Sequence, residues 1–273
     1  MTHDLFDMRA LARSRQRARN CGTPAMFLHD RAISQVTERL EEINRTFTKV
    51  AIVTAFPETW GVHFPNADFV TEAEVLNFAG DDYNLIIHAL SLHWSNDPVG
   101  QMIQCNRALR EDGLFLAVLF GGRTLNELRS AIGDAEIEIK GGISPRVAPM
   151  AEIRDLGALL QRAGFALPVA DNDVVNVTYS TPKDLLYDLR AMGEVNAMLE
   201  RSKFTISRRF YEAILSGYMA NFTNKMNTID ATFELIFLTG WAPGASQQKP
   251  LKPGSAVKRL ADALGTNEQG SDH

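Results

Sequence analysis

Near-continuous apolar runs of strand length recur along this chain, and the stretches between them carry apolar residues at helical spacing. KVAIVTAF (49–56), YNLIIHAL (83–90) and LFLAVLF (114–120) lack a polar face, which predicts strands buried on both sides. Ahead of the first run, residues 27–45 place Phe27, Ile33, Val36, Leu40 and Ile43 near helical periodicity with charges between them. PETWGVHFPNADFV (57–70) holds two prolines and a glycine, so no regular element is expected to propagate through it. After the second run, Asp97 is placed to cap a helix with Pro98 in its first turn. That helix, PVGQMIQCNRALR, closes at the Glu111-Asp112-Gly113 turn. After the third run, Gly121 and Gly122 lead into Thr124-Leu125-Asn126-Glu127, a capping-box pattern that opens another helix.

Alternation of buried strands with amphipathic helices predicts an α/β protein with a parallel, doubly wound sheet covered on both faces. Beyond Lys140-Gly141-Gly142 the order changes. A helix over 151–164 ends at Gly164, and VVNVTYS (174–180) and ATFELIFLTGW (231–241) read as strands around a helical insertion at about 182–222. Late strands of this kind complete a sheet in antiparallel fashion. Residues 1–46 then form an N-terminal helical segment, 47–242 the main domain, and 243–273, rich in Gly, Pro, Gln, Ser and Lys, a flexible tail.

Composition narrows the function classes. With 273 residues and 45% hydrophobic content the chain can bury a full core. Its 28 basic and 33 acidic residues, net −5, give no global attraction to nucleic acid or an anionic membrane. No apolar run approaches the roughly 20 residues that cross a bilayer, and the opening has no secretory pattern. Cys21 and Cys105 have neither metal-ligand nor disulfide spacing, which points to a reducing compartment, the cytoplasm. The histidines are scattered, no metal site is expected, and no nucleophile elbow, phosphate loop or His-Glu-x-x-His occurs. Arg9, Arg13 and Arg17 recur at helical spacing and are expected to form a solvated basic face.

The blocks SLHWSND, LFGGRTLNELR, GGISPRVAP, DLGALLQRAGF, FLTGW and SQQKP resemble the methyltransferase-like assembly factors of respiratory complex I, whose mitochondrial member is a protein arginine hydroxylase acting on an NADH dehydrogenase subunit. A more distant resemblance joins the chain to the malonyl-carrier-protein methyltransferases. The resemblance implies a Rossmann-like class I methyltransferase fold, mostly parallel with a late antiparallel strand, that binds S-adenosylmethionine at the carboxyl ends of its first strands. It also implies an acidic residue and a Gly-x-Gly-x-Gly loop after the first strand, because the backbone must approach the cofactor closely. Here the acid falls on Ile52 and the glycines on Thr54, Phe56 and Glu58. The loop Thr54-Ala55-Phe56 is therefore degenerate; Phe56 is expected to fill ligand volume and Glu58 to repel the cofactor carboxylate. The sheet is also contracted near the first strand, with ADFVTEAEVLNF standing in for two strands; Glu72 and Glu74 read first as solvated turn carboxylates, with the remnant of a ribose-binding acid as the alternative for either.

No catalytic residue is assigned. The family blocks nominate one edge, Ser91, His93, Trp94, Asp97, Gly121, Gly122, Arg123 and Arg146, as an acceptor or client surface, since aromatic and arginine side chains anchor protein interfaces. His88, inside its strand, reads as a core histidine. The leading expectation is a protein that binds a client, an NADH dehydrogenase subunit by resemblance, reaches the inner membrane only through that client, and has weak or no S-adenosylmethionine affinity. Two alternatives stand beside it: an active S-adenosylmethionine-dependent methyltransferase or arginine hydroxylase with a rearranged loop, and a small-molecule binder that kept the crevice.

Overall fold

The computed structural model describes residues 4–21, 25–245 and 247. The chain as far as Pro243 packs as one compact unit. The expected tail, 243–273, lies almost wholly outside the described residues. The elements, in order, are α1 (Met8–Arg19), α2 (Phe27–Glu42), β1 (Val50–Val53), α3 (Pro57–Gly61), β2 (Asp68–Val70), β3 (Tyr83–Ala89), a 3-10 turn (Leu92–Trp94), α4 (Pro98–Ala108), β4 (Leu109–Phe120), α5 (Asn126–Lys140), α6 (Ile153–Arg162), β5 (Ala166–Tyr179), α7 (Pro182–Ala191), α8 (Arg208–Phe222) and β6 (Ile229–Trp241). The sheet has six strands in the order β2-β1-β3-β4-β6-β5. β1 to β4 pair in parallel, and β6 and then β5 are added antiparallel.

Successive strand residues point to opposite faces, and the cores on the two faces are built accordingly. Leu85, Ile87, Leu116 and Val118 meet Ala32, Val36, Leu128, Leu185 and Tyr218 from α2, α5, α7 and α8. Ile86, Phe115, Ala117 and Leu119 meet Met102, Cys105, Leu156 and Leu160 from α4 and α6 on the other side. The absence of a polar face in these strands is thus the direct record of helices on both faces.

The first-strand region is contracted, as its sequence requires. The whole of 57–70 yields only the five-residue α3, started by Pro57, and the three-residue edge strand β2. The short helix corrects the expectation of no regular element there: Pro57 fits a first helical turn and breaks nothing at that position. From β2 the chain crosses to the far side of β1, so the strand order reverses between β1 and β3. That reversal opens a crevice at their carboxyl ends.

Other local expectations are corrected by tertiary contacts. Glu111-Asp112-Gly113 does not end a helix. α4 stops at Ala108, and these residues bulge out of β4, where the pairing jumps from Tyr83↔Leu109 to Leu85↔Leu114 and Asp112 has φ 58°. The capping box at Thr124 and Glu127 does not form, because β6 engages both side chains. Thr124 Oγ1 donates to the Glu234 carbonyl at 3.2 Å, and Glu127 accepts from the backbone and hydroxyl of Thr232 at 3.1 and 2.6 Å. The insertion is two helices separated by the irregular segment 192–207.

Candidate functional site

The crevice between β1 and β3 is roofed by α1. Residues 4–7 hold that helix in place: the Leu5 and Phe6 amides both donate to Asn96 Oδ1 at 2.9 Å, Asp7 accepts from Arg201 at 2.8 Å, and the Phe6 ring meets Trp94 edge-on at 5.1 Å. Asp7 also caps α1 by accepting from the Ala10 amide. Arg9, Arg13 and Arg17 face solvent, as their spacing predicts. Arg15 does not. It shares the inward stripe with Leu11 and Ala18 and is 1% exposed.

Arg15 is gripped from every side. Its Nη1 lies 2.6 Å from Glu194 Oε1 and its Nε 3.4 Å from Glu72 Oε1. Nη1 donates to the Met192 carbonyl at 3.1 Å and Nη2 to the Leu90 carbonyl at 3.3 Å, and the guanidinium carbon stands 5.4 Å from the centre of the Phe56 ring. Glu72 lies just past β2, Leu90 just past β3, and Phe56 just past β1, so the guanidinium sits at the carboxyl ends of all three strands. Glu194 arrives from the end of α7, where Gly193 at φ +75° and the bond from the Glu194 amide to the Leu189 carbonyl turn the chain inward. A β-carbon on Gly193 would lie 3.1–3.3 Å from Arg15 and Ala18, so glycine lets this turn touch α1.

The electrostatics follow from the burial. Desolvation pushes the Glu194 carboxyl up, but Arg15, His93 and Trp94 together outweigh it and hold it at about 2. Trp94 Nε1 donates to Glu194 Oε2 at 2.8 Å, and His93 Nε2 lies 3.3 Å from the same oxygen. At Glu72 desolvation exceeds the pull of Arg15, and its carboxyl is raised. Desolvation lowers Arg15, and the two carboxylates more than restore it. Burial and then Arg15 press His29 down to about 3, consistent with a neutral ring whose Nδ1 accepts from Trp60 Nε1 at 3.1 Å. Glu72 Oε2, His93 Nδ1 and Arg15 Nε are buried without an aligned hydrogen bond, so charge holds this cluster more than hydrogen-bond geometry does.

Two cavities flank the cluster. One, of about 630 Å³, opens between α1 and the ends of β1 and β2; Arg15, Arg19, Thr54, Ala55, Glu58, Glu72 and Glu74 line it. The other, of about 790 Å³, lies between the 3-10 turn, α5 and the segment 195–211, with Trp94, Arg146 and Glu194 in its wall. Among the described residues no group of His, Cys, Asp or Glu is arranged to hold a metal ion. No described helix is long and apolar enough to cross a membrane.

The residues nominated from sequence do not form one exposed edge. Ser91, His93 and Trp94 are buried. Ser91 Oγ reaches His88 Nδ1 at 3.2 Å, while His88 Nε2 bonds Gln101 Oε1 at 2.9 Å, so His88 is a satisfied core histidine with its pKa lowered by burial to about 4. Asp97 caps α4 through the Gly100 amide at 2.8 Å. Gly121 and Gly122 form a turn held by Glu234, which accepts the Arg123 amide at 3.0 Å; the Arg123 side chain is exposed. Arg146 is bound to the buried Glu136 at 2.7 Å and covers Phe210. In the degenerate loop, Thr54 Oγ1 accepts the Phe56 amide at 3.1 Å and the Ala55 carbonyl accepts from Arg19 at 2.8 Å. Phe56 packs with Ala18 and Met26 and does not line the cavity. Glu72 is drawn to Arg15, whereas Glu74 is exposed. Sequence reasoning missed Arg15, Glu194 and His29. The available signal for Arg15 was its place in the Leu11–Ala18 stripe.

A mostly parallel sheet with a ligand crevice at the β1/β3 reversal, completed by antiparallel β6 and β5, is the class I methyltransferase fold. No family model matches the chain. It is 41% identical over 201 residues to the protein named arginine-hydroxylase NDUFAF5, mitochondrial, of Dictyostelium discoideum, covering 73% of this chain and 46% of that one. The human protein of the same name is 34% identical over 217 residues, 80% of this chain and 63% of that one. A malonyl-[acyl-carrier protein] O-methyltransferase of Laribacter hongkongensis is 31% identical over 186 residues, 68% of this chain and 60% of that one. Among solved structures, the YcgJ protein of Bacillus subtilis matches with TM-score 0.48 at 12% identity, over 79% of this chain and 99% of that one. The chain belongs to the NDUFAF5 arginine-hydroxylase family and has the class I methyltransferase fold. It spans between about half and two thirds of the length of these curated relatives.

Proposed function

We propose that this protein is a methyltransferase-fold assembly factor that holds a protein client, an NADH dehydrogenase subunit, and takes up S-adenosylmethionine weakly or not at all. The observation that carries the reading is the Arg15 guanidinium, buried between Glu72 and Glu194 at the strand ends where a methyltransferase meets its cofactor. A cofactor of this kind needs close backbone approach, open amide donors and an acid for the ribose. Here the loop after β1 carries side chains throughout, its Phe56 amide is engaged by Thr54, and Glu72 is engaged by Arg15. The residues present therefore do not fit S-adenosylmethionine in the usual arrangement.

Calorimetric titration and thermal melting with S-adenosylmethionine and S-adenosylhomocysteine test this. A ligand bound only by the folded state, at about a hundredfold above Kd, adds roughly 2.7 kcal/mol of stability. No saturable heat and no rise in melting temperature are expected; a saturable rise at micromolar cofactor ends the reading. Client capture is tested by pull-down of NADH dehydrogenase assembly intermediates with Arg123→Ala, whose side chain is exposed on the proposed edge. Undiminished capture removes Arg123 from the client surface. Trp94, 3% exposed, is unsuited to that test.

The second reading, an active S-adenosylmethionine-dependent methyltransferase or arginine hydroxylase, draws on the 630 Å³ cavity with Glu72 at the end of β2. It requires Arg15 to let go of Glu72, and the same titration decides it. From the cysteine spacing of the sequence we further propose a reducing compartment, the cytoplasm, with a membrane reached only through the client.

A further inference from the structure

The larger cavity, of about 790 Å³, is unlike the rest of the carboxyl edge. Its volume is that of a pocket for a small organic ligand. The floor is apolar: Phe120, Leu125, Leu128, Leu189 and Phe233 are all buried side chains that line it. The mouth is cationic and is formed in part by the segment 201–206, where Phe204 is 87% exposed.

The cations at the mouth differ in how far they are neutralised. Arg146 is bound by Glu136 and Arg201 by Asp7. Arg208 meets Glu212 at 2.7 Å, but both side chains are exposed, at 89% and 58%, and such a pair contributes little. Arg190, at the end of α7, has no ion pair or side-chain hydrogen bond among the described residues. Among the described residues Glu194 is the sole acid in the lining, and it faces Arg15, His93 and Trp94 at the inner end. The cavity thus runs from an uncharged floor to a rim with uncompensated positive charge. A cationic or wholly polar ligand matches neither end, and a neutral hydrocarbon leaves the rim unused.

We propose that this cavity binds an anionic amphiphile: a single acyl-type chain on the floor between Leu128 and Phe233, with a carboxylate or phosphate head at Arg190 and Arg208. Phe204 and Ile206, both exposed at the mouth, close over the chain where it leaves the floor. Glu194 and Trp94 in the wall also belong to the Arg15 cluster, but Arg15, Glu72 and the loop after β1 line only the smaller cavity and the ligand does not require S-adenosylmethionine, so its binding and the cofactor titration give independent answers.

The test uses the full chain after delipidation. Dansyl-undecanoic acid is titrated in by fluorescence, and palmitate, hexadecyl phosphate, hexadecanol and hexadecyltrimethylammonium compete. Saturable probe binding is expected, displaced by palmitate and by hexadecyl phosphate, with hexadecanol weaker by about tenfold and the cation weaker still. Arg190→Ala with Arg208→Ala should weaken palmitate about tenfold while leaving hexadecanol unchanged. Leu186→Trp, a partly buried wall position, should block the probe with its melting temperature retained. Val62→Ala, an exposed position remote from the cavity, is the control. Phosphatidylglycerol vesicles form a separate arm. Association with vesicles but not with monomeric palmitate would mean a lipid surface and would overturn the proposal. So would the absence of saturable probe binding, equal affinity for palmitate and hexadecanol, or a folded Leu186→Trp protein that binds as the parent does.

Discussion

Replacing Arg15 with methionine preserves most of the length of the side chain and deletes the charge that holds Glu194 and Glu72 together. Arg15 is 1% exposed, and Glu194 and Glu72 are 8% and 12% exposed at the side chain, so water cannot replace the lost partner. Removing one member of a buried ion pair costs about 3–5 kcal/mol, because the other charge is left uncompensated. At about 2 °C per kcal/mol for a chain of this length, melting should fall by roughly 6–10 °C at neutral pH. The pH dependence separates this from simple loss of packing. In the parent protein the Glu194 carboxyl is held at about 2, so its stabilisation is complete above the ordinary carboxylate value and is lost only as pH falls from about 4.5 toward 2. In Arg15→Met the same carboxyl is buried without its cation and its pKa rises, so the variant recovers as pH falls and a proton neutralises it. The stability gap should narrow between pH 7.5 and pH 5, and Arg15→Met/Glu194→Gln should be more stable than Arg15→Met alone. Urea denaturation followed by tryptophan fluorescence measures all three proteins at both pH values. A loss below about 1 kcal/mol, a gap independent of pH, or a double variant no better than the single would refute a charged cluster at this site.

Gly193→Ala should destabilise by about 1–3 kcal/mol, since φ +75° and neighbours at 3.1–3.3 Å both oppose a β-carbon; an unchanged urea midpoint would show that the turn relaxes freely. Trp94→Ala should cost about 3–5 kcal/mol and Arg123→Ala less than about 0.5 kcal/mol, as befits a buried ring and an exposed side chain; comparable losses would contradict this placement. His88 and His29, held neutral by burial at about 4 and about 3, should make stability fall as pH drops from about 6.5 toward 4, because the unfolded chain takes up protons there that the folded chain refuses. His88→Gln should flatten that slope, and an unaltered slope would assign the acid sensitivity elsewhere.

The alternation of doubly apolar strands with amphipathic helices was sufficient to specify a parallel sheet covered on both faces, because a strand with no polar side has no stable place except between two helix layers. The Asp97 cap of α4 and the contraction after β1 were legible because each depends on residues close together in the chain, whereas the antiparallel closure by β6, whose partner β4 lies more than a hundred residues earlier, was expected from the fold that the chain resembles. The capping box at Thr124 and Glu127 misled because β6, more than a hundred residues later, offers both side chains stronger partners. The site was hidden by the same kind of distance. Glu194 after a glycine turn is an ordinary surface residue by local pattern, Arg15 is masked by the solvated arginines around it despite its place in the Leu11–Ala18 stripe, and Glu72, although a candidate from sequence, has no partner there to mark it. Only the reversal of strand order between β1 and β3, with α1 laid across the opening, removes the three from water together and makes their charges depend on one another.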